Sequence, residues 1–112
     1  MNTLENTKAQ MRKGILEYCI LGIIGGAGEI YPSDILNKLK GAHLIVVEGT
    51  LYPLLTRLKN TELLSYRWEE SNAGPPRKYY KLTEEGEKFF GELNLTWEEL
   101  VKSVNLTTQN HK

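Results

Sequence analysis

The hydrophobic positions of this chain change period several times, and each change marks a new element. Leu4, Met11, Ile15, Cys19 and Ile23 lie near helical spacing and predict a first helix over residues 4–24. Gly14 weakens it by about 1 kcal/mol relative to alanine, and Gly25-Gly26-Ala27-Gly28 ends it. Pro32-Ser33-Asp34 suits the first turn of a short second helix, 32–40, with Ile35, Leu36 and Leu39 inside and Gly41 as its stop. His43 to Val47 is apolar and β-branched, which fits either a buried turn or a short extended piece. Leu51, Leu54, Leu55 and Leu58 then return to helical spacing and predict a third helix over 49–60. Pro53 lacks a backbone donor, so the regular helix should begin only a few residues before it.

A period of two follows. In residues 63–69, Leu64, Tyr66 and Trp68 alternate with Ser65, Arg67 and Glu69; residues 77–82 form a second strand-like run. Glu70-Ser71-Asn72-Ala73-Gly74-Pro75-Pro76 between them is dense in turn residues and predicts a hairpin whose loop is longer than a tight turn. Thr83, followed by Glu84 and Glu85, is a good N-cap for a last helix reaching about 105–108. Its apolar stripe is Phe89, Phe90, Leu93, Trp97, Leu100, Val101 and Val104. Thr96-Trp97-Glu98-Glu99 also fits a capping box, which allows a kink or break near Asn94-Leu95-Thr96.

Helix, short helix, helix, hairpin, helix is the order of a winged helix-turn-helix, in which the third helix is presented to a DNA groove and the hairpin is the wing. The expected fold class is mainly α with a small β-hairpin. The winged helix-turn-helix covers 1–83, an added C-terminal dimerisation helix covers 84–108, and 109–112 is a tail. A lone helix leaves the stripe beyond Phe90 bare, and a second copy supplies the missing surface, so a two-fold homodimer is expected.

At 112 residues and 40% apolar content, one domain with a small core is possible, with or without an extension. The formal net charge is zero, but its distribution is uneven. Residues 1–81 hold 11 Lys/Arg against 8 Asp/Glu, a net of +3; residues 82–112 hold 3 Lys/Arg against 6 Glu, a net of −3. Such a split points to nucleic-acid contact, or simply to glutamates that solvate a C-terminal helix. Cys19, the single cysteine, excludes an intrachain disulfide and reads as a small core hydrophobe. The polar start Met1-Asn2-Thr3-Leu4-Glu5 is unlike a secretion signal. The apolar stretch from Tyr18 to Ala27 has about half the ~20 residues needed to span a bilayer. A soluble, cytoplasmic protein is expected, and Asn94-Leu95-Thr96 and Asn105-Leu106-Thr107 match the glycosylation pattern by chance.

Three stretches resemble the PadR family of transcriptional regulators. They are Arg12-Lys13-Gly14-Ile15-Leu16-Glu17-Tyr18, then Glu48-Gly49-Thr50-Leu51-Tyr52-Pro53-Leu54-Leu55-Thr56-Arg57-Leu58, then the run from Gly74-Pro75-Pro76-Arg77-Lys78 through Thr83-Glu84-Glu85-Gly86. The resemblance covers about residues 8–101 and fits the compact subfamily with a short C-terminus. It implies a dimeric DNA-binding repressor, often released by a small aromatic or cationic compound. It also implies that Trp97 sits where an aromatic residue of the last helix helps line a pocket at the dimer axis. Two places depart from the family pattern: Glu62 stands where a glycine is usual, and Ile30-Tyr31-Pro32-Ser33-Asp34-Ile35 replaces the usual Tyr-Gly-Tyr-Glu opening of the second helix.

Outside its leucine face, the third helix carries Thr50, Tyr52, Pro53, Thr56, Arg57 and Asn60, a short polar, aromatic and cationic set rather than long Glu/Lys pairs. Thr50, Tyr52, Pro53, Thr56 and Arg57 are therefore candidates for base edges and phosphates; the alternative is an ordinary amphipathic surface helix. Arg77 and Lys78 follow the stiff Pro75-Pro76 pair and suit phosphate or minor-groove contact, or a solvated turn. Lys8, Arg12 and Lys13 are candidates for flanking phosphates, or plain solvated charge. Trp97 reads as core, interface or effector contact, while Tyr18, Tyr66, Trp68, Tyr79 and Tyr80 read as packing residues. His43, His111 and Cys19 lack metal-ligand spacing, and no phosphate loop or nucleophile–base pattern occurs. No catalytic residue, metal or cofactor is expected. The expected function is a homodimeric repressor on double-stranded DNA with a pseudo-palindromic operator; the alternative is a winged-helix protein–protein module without sequence-specific DNA binding.

Overall fold

The computed structural model describes residues 2–110. His111 and the end of the tail expected over 109–112 lie outside the described residues. The elements run α1 (Thr3–Lys13), α2 (Leu16–Ala27), α3 (Pro32–Gly41), α4 (Glu48–Asn60), β1 (Leu64–Ser71), β2 (Gly74–Leu82) and α5 (Glu84–Thr108). It is a mainly helical chain with one two-stranded antiparallel hairpin, a winged helix with a long helix after the wing.

The core lies where α2, α3 and α4 meet the base of the hairpin. Ile20, Leu21 and Ile24 enter from α2, Ile35 and Leu39 from α3, and Leu51, Leu55 and Leu58 from α4. Leu64, Tyr80 and Leu82 close it from the hairpin. Cys19 packs against this cluster, and burial pushes its thiol above the ordinary range, so it stays neutral.

The helix expected over 4–24 is divided. It tightens at Gly14-Ile15, where the Ile15 N–H donates to the Arg12 carbonyl at 3.1 Å instead of reaching back a full α-turn. Gly14 adds no side-chain contact to hold the α geometry there. The apolar residues of α1 do not reach the core: Leu4 and Met11 are 60% and 72% exposed. Asn2 caps α1, its side chain accepting from the Leu4 and Glu5 N–H groups.

The long loop expected over 70–76 is also absent. The strands run on to Ser71 and Gly74, which pair across a tight turn at Asn72-Ala73, with a bulge between Glu69 and Ser71. Pro75 and Pro76 belong to β2 instead of the loop. A two-stranded ribbon has free edges, where a residue without an N–H costs no ladder bond. On the α2–α3 side, Ile30 and Tyr80 exchange backbone bonds of 3.0 and 2.8 Å, which fixes the base of the wing.

Helix α5 runs 25 residues without interruption. Thr96 donates its hydroxyl to the Glu92 carbonyl one turn back, so it is a helix-interior threonine and not a cap.

Both α3 and α4 end in a Schellman motif with a non-glycine residue in the left-handed region. His43 has φ 65° and Glu62 φ 66°. Leu44 and Leu63 donate back to Leu39 and Leu58, while His43 and Glu62 donate to Lys40 and Lys59. The apolar pairs Leu44/Leu39 and Leu63/Leu58 join the core and hold the backbone in place. Glu62 thus makes the turn into the wing despite its Cβ strain. Glu62→Gly is expected to raise stability by about 0.5–1 kcal/mol in denaturant titration; unchanged or lower stability would place no strain at this position.

Candidate nucleic-acid interface

At about 100° per residue, α4 turns Leu51, Leu55 and Leu58 inward and leaves a broad exposed face. All five candidates on this helix, Thr50, Tyr52, Pro53, Thr56 and Arg57, are exposed. Tyr52, Pro53, Thr56 and Arg57 share one strip of surface with Asn60. Pro53 and Thr56 lie along its centre, Tyr52 on the edge toward the wing, and Thr50 and Arg57 on the opposite edge.

The two edges meet different neighbours. Tyr52 faces Trp68, Arg77 and Lys78 across a groove of about 400 Å³ whose floor includes Tyr31 and Pro32. The fold therefore brings the α4 and wing candidates together. Thr50 lies across a second groove, of about 430 Å³, from Arg12 and Lys13 of α1, with the apolar loop Leu44–Val47 between them. Lys8 does not join this group; its Nζ pairs instead with Glu5 at 3.6 Å.

Arg57 forms an ion pair with Glu17 of α2. The pair ties the edge of α4 to α2 and leaves the guanidinium side chain 59% exposed, so part of its donor fork still faces outward. Glu17 was not legible as part of this surface from sequence, because nothing in its spacing indicates which helix it meets.

Tyr31 and Trp68 are the other residues that sequence reasoning missed here. Trp68 alternates with Tyr66 as a packing residue would, yet it is 60% exposed and shares the groove with Arg77 and Lys78. The Lys78 ammonium lies 4.4 Å from the Tyr66 ring centre and 5.1 Å from that of Trp68, so the exposed ring is a platform for a cation. The strand period identified the face but not its solvent exposure.

Trp97 borders a different groove, which shares only Arg12 with this surface. One side of it meets Tyr18, at a centroid distance of 6.2 Å, and Tyr18 in turn meets Phe90 at 5.5 Å. The other side borders an apolar groove of about 470 Å³ lined by Met11 and Ile15 together with Leu100, Val101 and Val104. Trp97 is thus both a packing residue and a groove residue.

A protein-family model described as the transcriptional regulator PadR-like family matches residues 20–92, from the middle of α2 into α5. The chain belongs to the PadR-like family of transcriptional regulators.

Solved structures agree with this assignment. A PadR-like transcription factor from Bacteroides fragilis is 63% identical, with a TM-score of 0.77 over 92% of this chain and 99% of that one. A PadR family transcriptional regulator from Eggerthella lenta is 26% identical, with a TM-score of 0.89 over 96% of this chain and 94% of that one. PadR of Bacillus subtilis, solved in complex with operator DNA, is 26% identical with a TM-score of 0.64, over 70% of this chain and 46% of that longer one. Among the described residues of this PadR-like chain, no cluster of His, Cys, Asp and Glu could hold a metal ion. No described helix is long and apolar enough to cross a membrane.

Proposed function

We propose that this PadR-like regulator is a homodimeric repressor that binds double-stranded DNA at a pseudo-palindromic operator. The observation that carries the reading is the single surface shared by the exposed face of α4 and the wing cations Arg77 and Lys78. A recognition helix in the major groove would then have the wing against the adjacent backbone. The Bacillus subtilis relative solved in complex with operator DNA supports DNA as the partner. Pro53 and Thr56, along the centre of the strip, are the proposed base-edge contacts, Thr50 and Tyr52 at its edges meet base edges or phosphates, and Arg57, Arg77, Lys78 and Arg12 are the proposed phosphate contacts. Lys8 has a weaker place in this set because it is paired with Glu5. Residues 1–83 form the DNA-binding unit and 84–108 the dimerisation helix.

Arg57 is assigned to phosphate because Glu17 holds it at the edge of the α4 face. Arg57→Ala should therefore weaken duplex binding by less than about tenfold and reduce the salt slope by about one. A larger loss confined to one sequence would make Arg57 a base reader.

The two-fold partner would cover the groove between α1 and α5. Leu4, Met11, Leu100 and Val104, at 60%, 72%, 50% and 49% exposed, are large apolar residues with no cover in one chain. Closing that groove with a second copy would leave Trp97 beside the axis, where a planar aromatic compound could stack on it and bias the dimer. Trp97 fluorescence should then be quenched by a planar aromatic cation, and Trp97→Ala should lose that binding while staying dimeric. Dissociation of Trp97→Ala would make it a packing residue only.

A further inference from the structure

Arg77 and Lys78, the proposed DNA contacts of the wing, both lie over aromatic rings. Arg77 lies with its guanidinium carbon 4.5 Å from the centre of the Tyr31 ring. Tyr31 stacks on Tyr79, with centroids 5.7 Å apart and planes inclined by 26°. The Arg67 guanidinium carbon is 5.0 Å from the Tyr79 centre. Arg67 itself donates to both carboxylate oxygens of Glu29, at 2.8 and 3.3 Å. The result is a ladder of five side chains, Glu29, Arg67, Tyr79, Tyr31 and Arg77, running from the α2–α3 linker onto the wing.

Its foot is fixed. Glu29 and Tyr31 flank Ile30, whose backbone is bonded in both directions to Tyr80. The Tyr31 carbonyl also accepts from the Asp34 and Ile35 N–H groups at the start of α3. Arg67 holds the Glu29 carboxyl below the usual carboxylate range, so this end of the ladder stays charged near neutral pH. The head of the ladder, Arg77, opens into the groove that faces Tyr52.

A long arginine loses rotamer freedom when it meets a ligand, and prior ordering removes that cost. A guanidinium is planar and weakly hydrated, so it rests flat on an aromatic face with its N–H edge still free for a phosphate. We propose that Tyr31 is a positioning residue for Arg77: its ring holds the guanidinium in the groove between α4 and the wing, ready for the DNA backbone. The inference rests on the DNA-binding reading above. It requires the ring of Tyr31 and not its hydroxyl, and it requires a guanidinium and not merely a charge.

The test is a set of affinities, read by fluorescence anisotropy, for a labelled duplex that the wild-type protein has enriched from a random-sequence pool. Tyr31→Phe should bind within about twofold of wild type. Tyr31→Leu and Arg77→Lys should each weaken binding by about 3- to 10-fold. In an Arg77→Ala background, Tyr31→Leu should add nothing. A purely structural role for Tyr31 would carry the same loss into that background and would overturn the proposal, as would full-strength binding by Tyr31→Leu. If Tyr31→Leu does not fold, Arg77→Lys decides, and its full-strength binding overturns the proposal. A wild-type protein that enriches no duplex removes the DNA reading and this inference with it. A wild type that binds, with no coupling between Tyr31 and Arg77, removes this inference alone.

Discussion

Val101→Lys combined with Val104→Lys is expected to divide the protein into monomers and to lower its affinity for its preferred duplex by about 100-fold or more. Both valines border the groove between α1 and α5, where Val101 and Val104 are 37% and 49% exposed in one chain. A lysine there is well tolerated by the isolated chain, because it can stay in water. In a two-fold interface each substitution occurs twice and meets an apolar wall, and the effective penalty for burying a charge is several kcal/mol. Lysine is the better choice than glutamate because Arg12 borders the same groove and would pair with a new carboxylate. The loss of DNA affinity follows from losing the second half-site, since linking two sites raises avidity by about 10²–10⁴. Light scattering gives the mass, and far-UV circular dichroism checks that the helices remain. A variant that stays dimeric with unchanged affinity would move the interface elsewhere.

Gly86→Ala should have the largest effect on folding, a loss of about 2–4 kcal/mol. Gly86 is buried in the first turn of α5, and a Cβ there would run into the backbone carbonyl oxygen of Leu63. That carbonyl cannot retreat. It already accepts from the Thr83 N–H at 3.1 Å, and Leu63 closes the turn after α4 by donating to Leu58. The Thr83 hydroxyl completes the joint, donating to the Glu62 carbonyl at 2.6 Å and accepting from the Gly86 N–H at 2.9 Å. The ends of α4 and β2 and the start of α5 are thus held in one cluster, which sets the angle between the exposed face of α4 and the proposed dimerisation helix. Gly91 is the control: a Cβ there meets nothing within 4 Å, so Gly91→Ala should be neutral or stabilise by up to about 1 kcal/mol. Denaturant unfolding of the two variants separates them. Equal stability would mean that α5 can shift away from Leu63 freely.

The sequence made the helix faces legible because leucine spacing survives wherever a face is buried. Leu51, Leu55 and Leu58 lie on the inner side of α4 as expected, and the stripe on α5 is continuous. The errors arose where local chemistry was outvoted by context. Pro75 and Pro76 looked like loop residues, but a ribbon edge accepts them. Thr96 looked like a cap, but a helix that continues through it turns its hydroxyl back on Glu92. His43 gave no sign of left-handed backbone, and at Glu62 the sign was only the glycine usual at that place in the family; the leucines that follow both residues supply the restraint. Among the candidate site residues, position on α4 or on the wing could be read from spacing. The distant partners could not: Glu17 beside Arg57 and Tyr31 beneath Arg77 come from other parts of the chain, whereas Glu5 and Lys8 are three residues apart on one helix face.

Dimeric operator binding is tested most directly by selection of duplexes from a random-sequence pool with the wild-type protein at low and at moderate salt. A two-fold dimer with α4 in successive major grooves enriches an inverted repeat whose half-site centres are about one helical turn, 10–10.5 base pairs, apart, with affinity that falls steeply as salt rises. Enrichment of no duplex at low salt, by a folded protein, would contradict it and would leave a winged-helix module that recognises another protein.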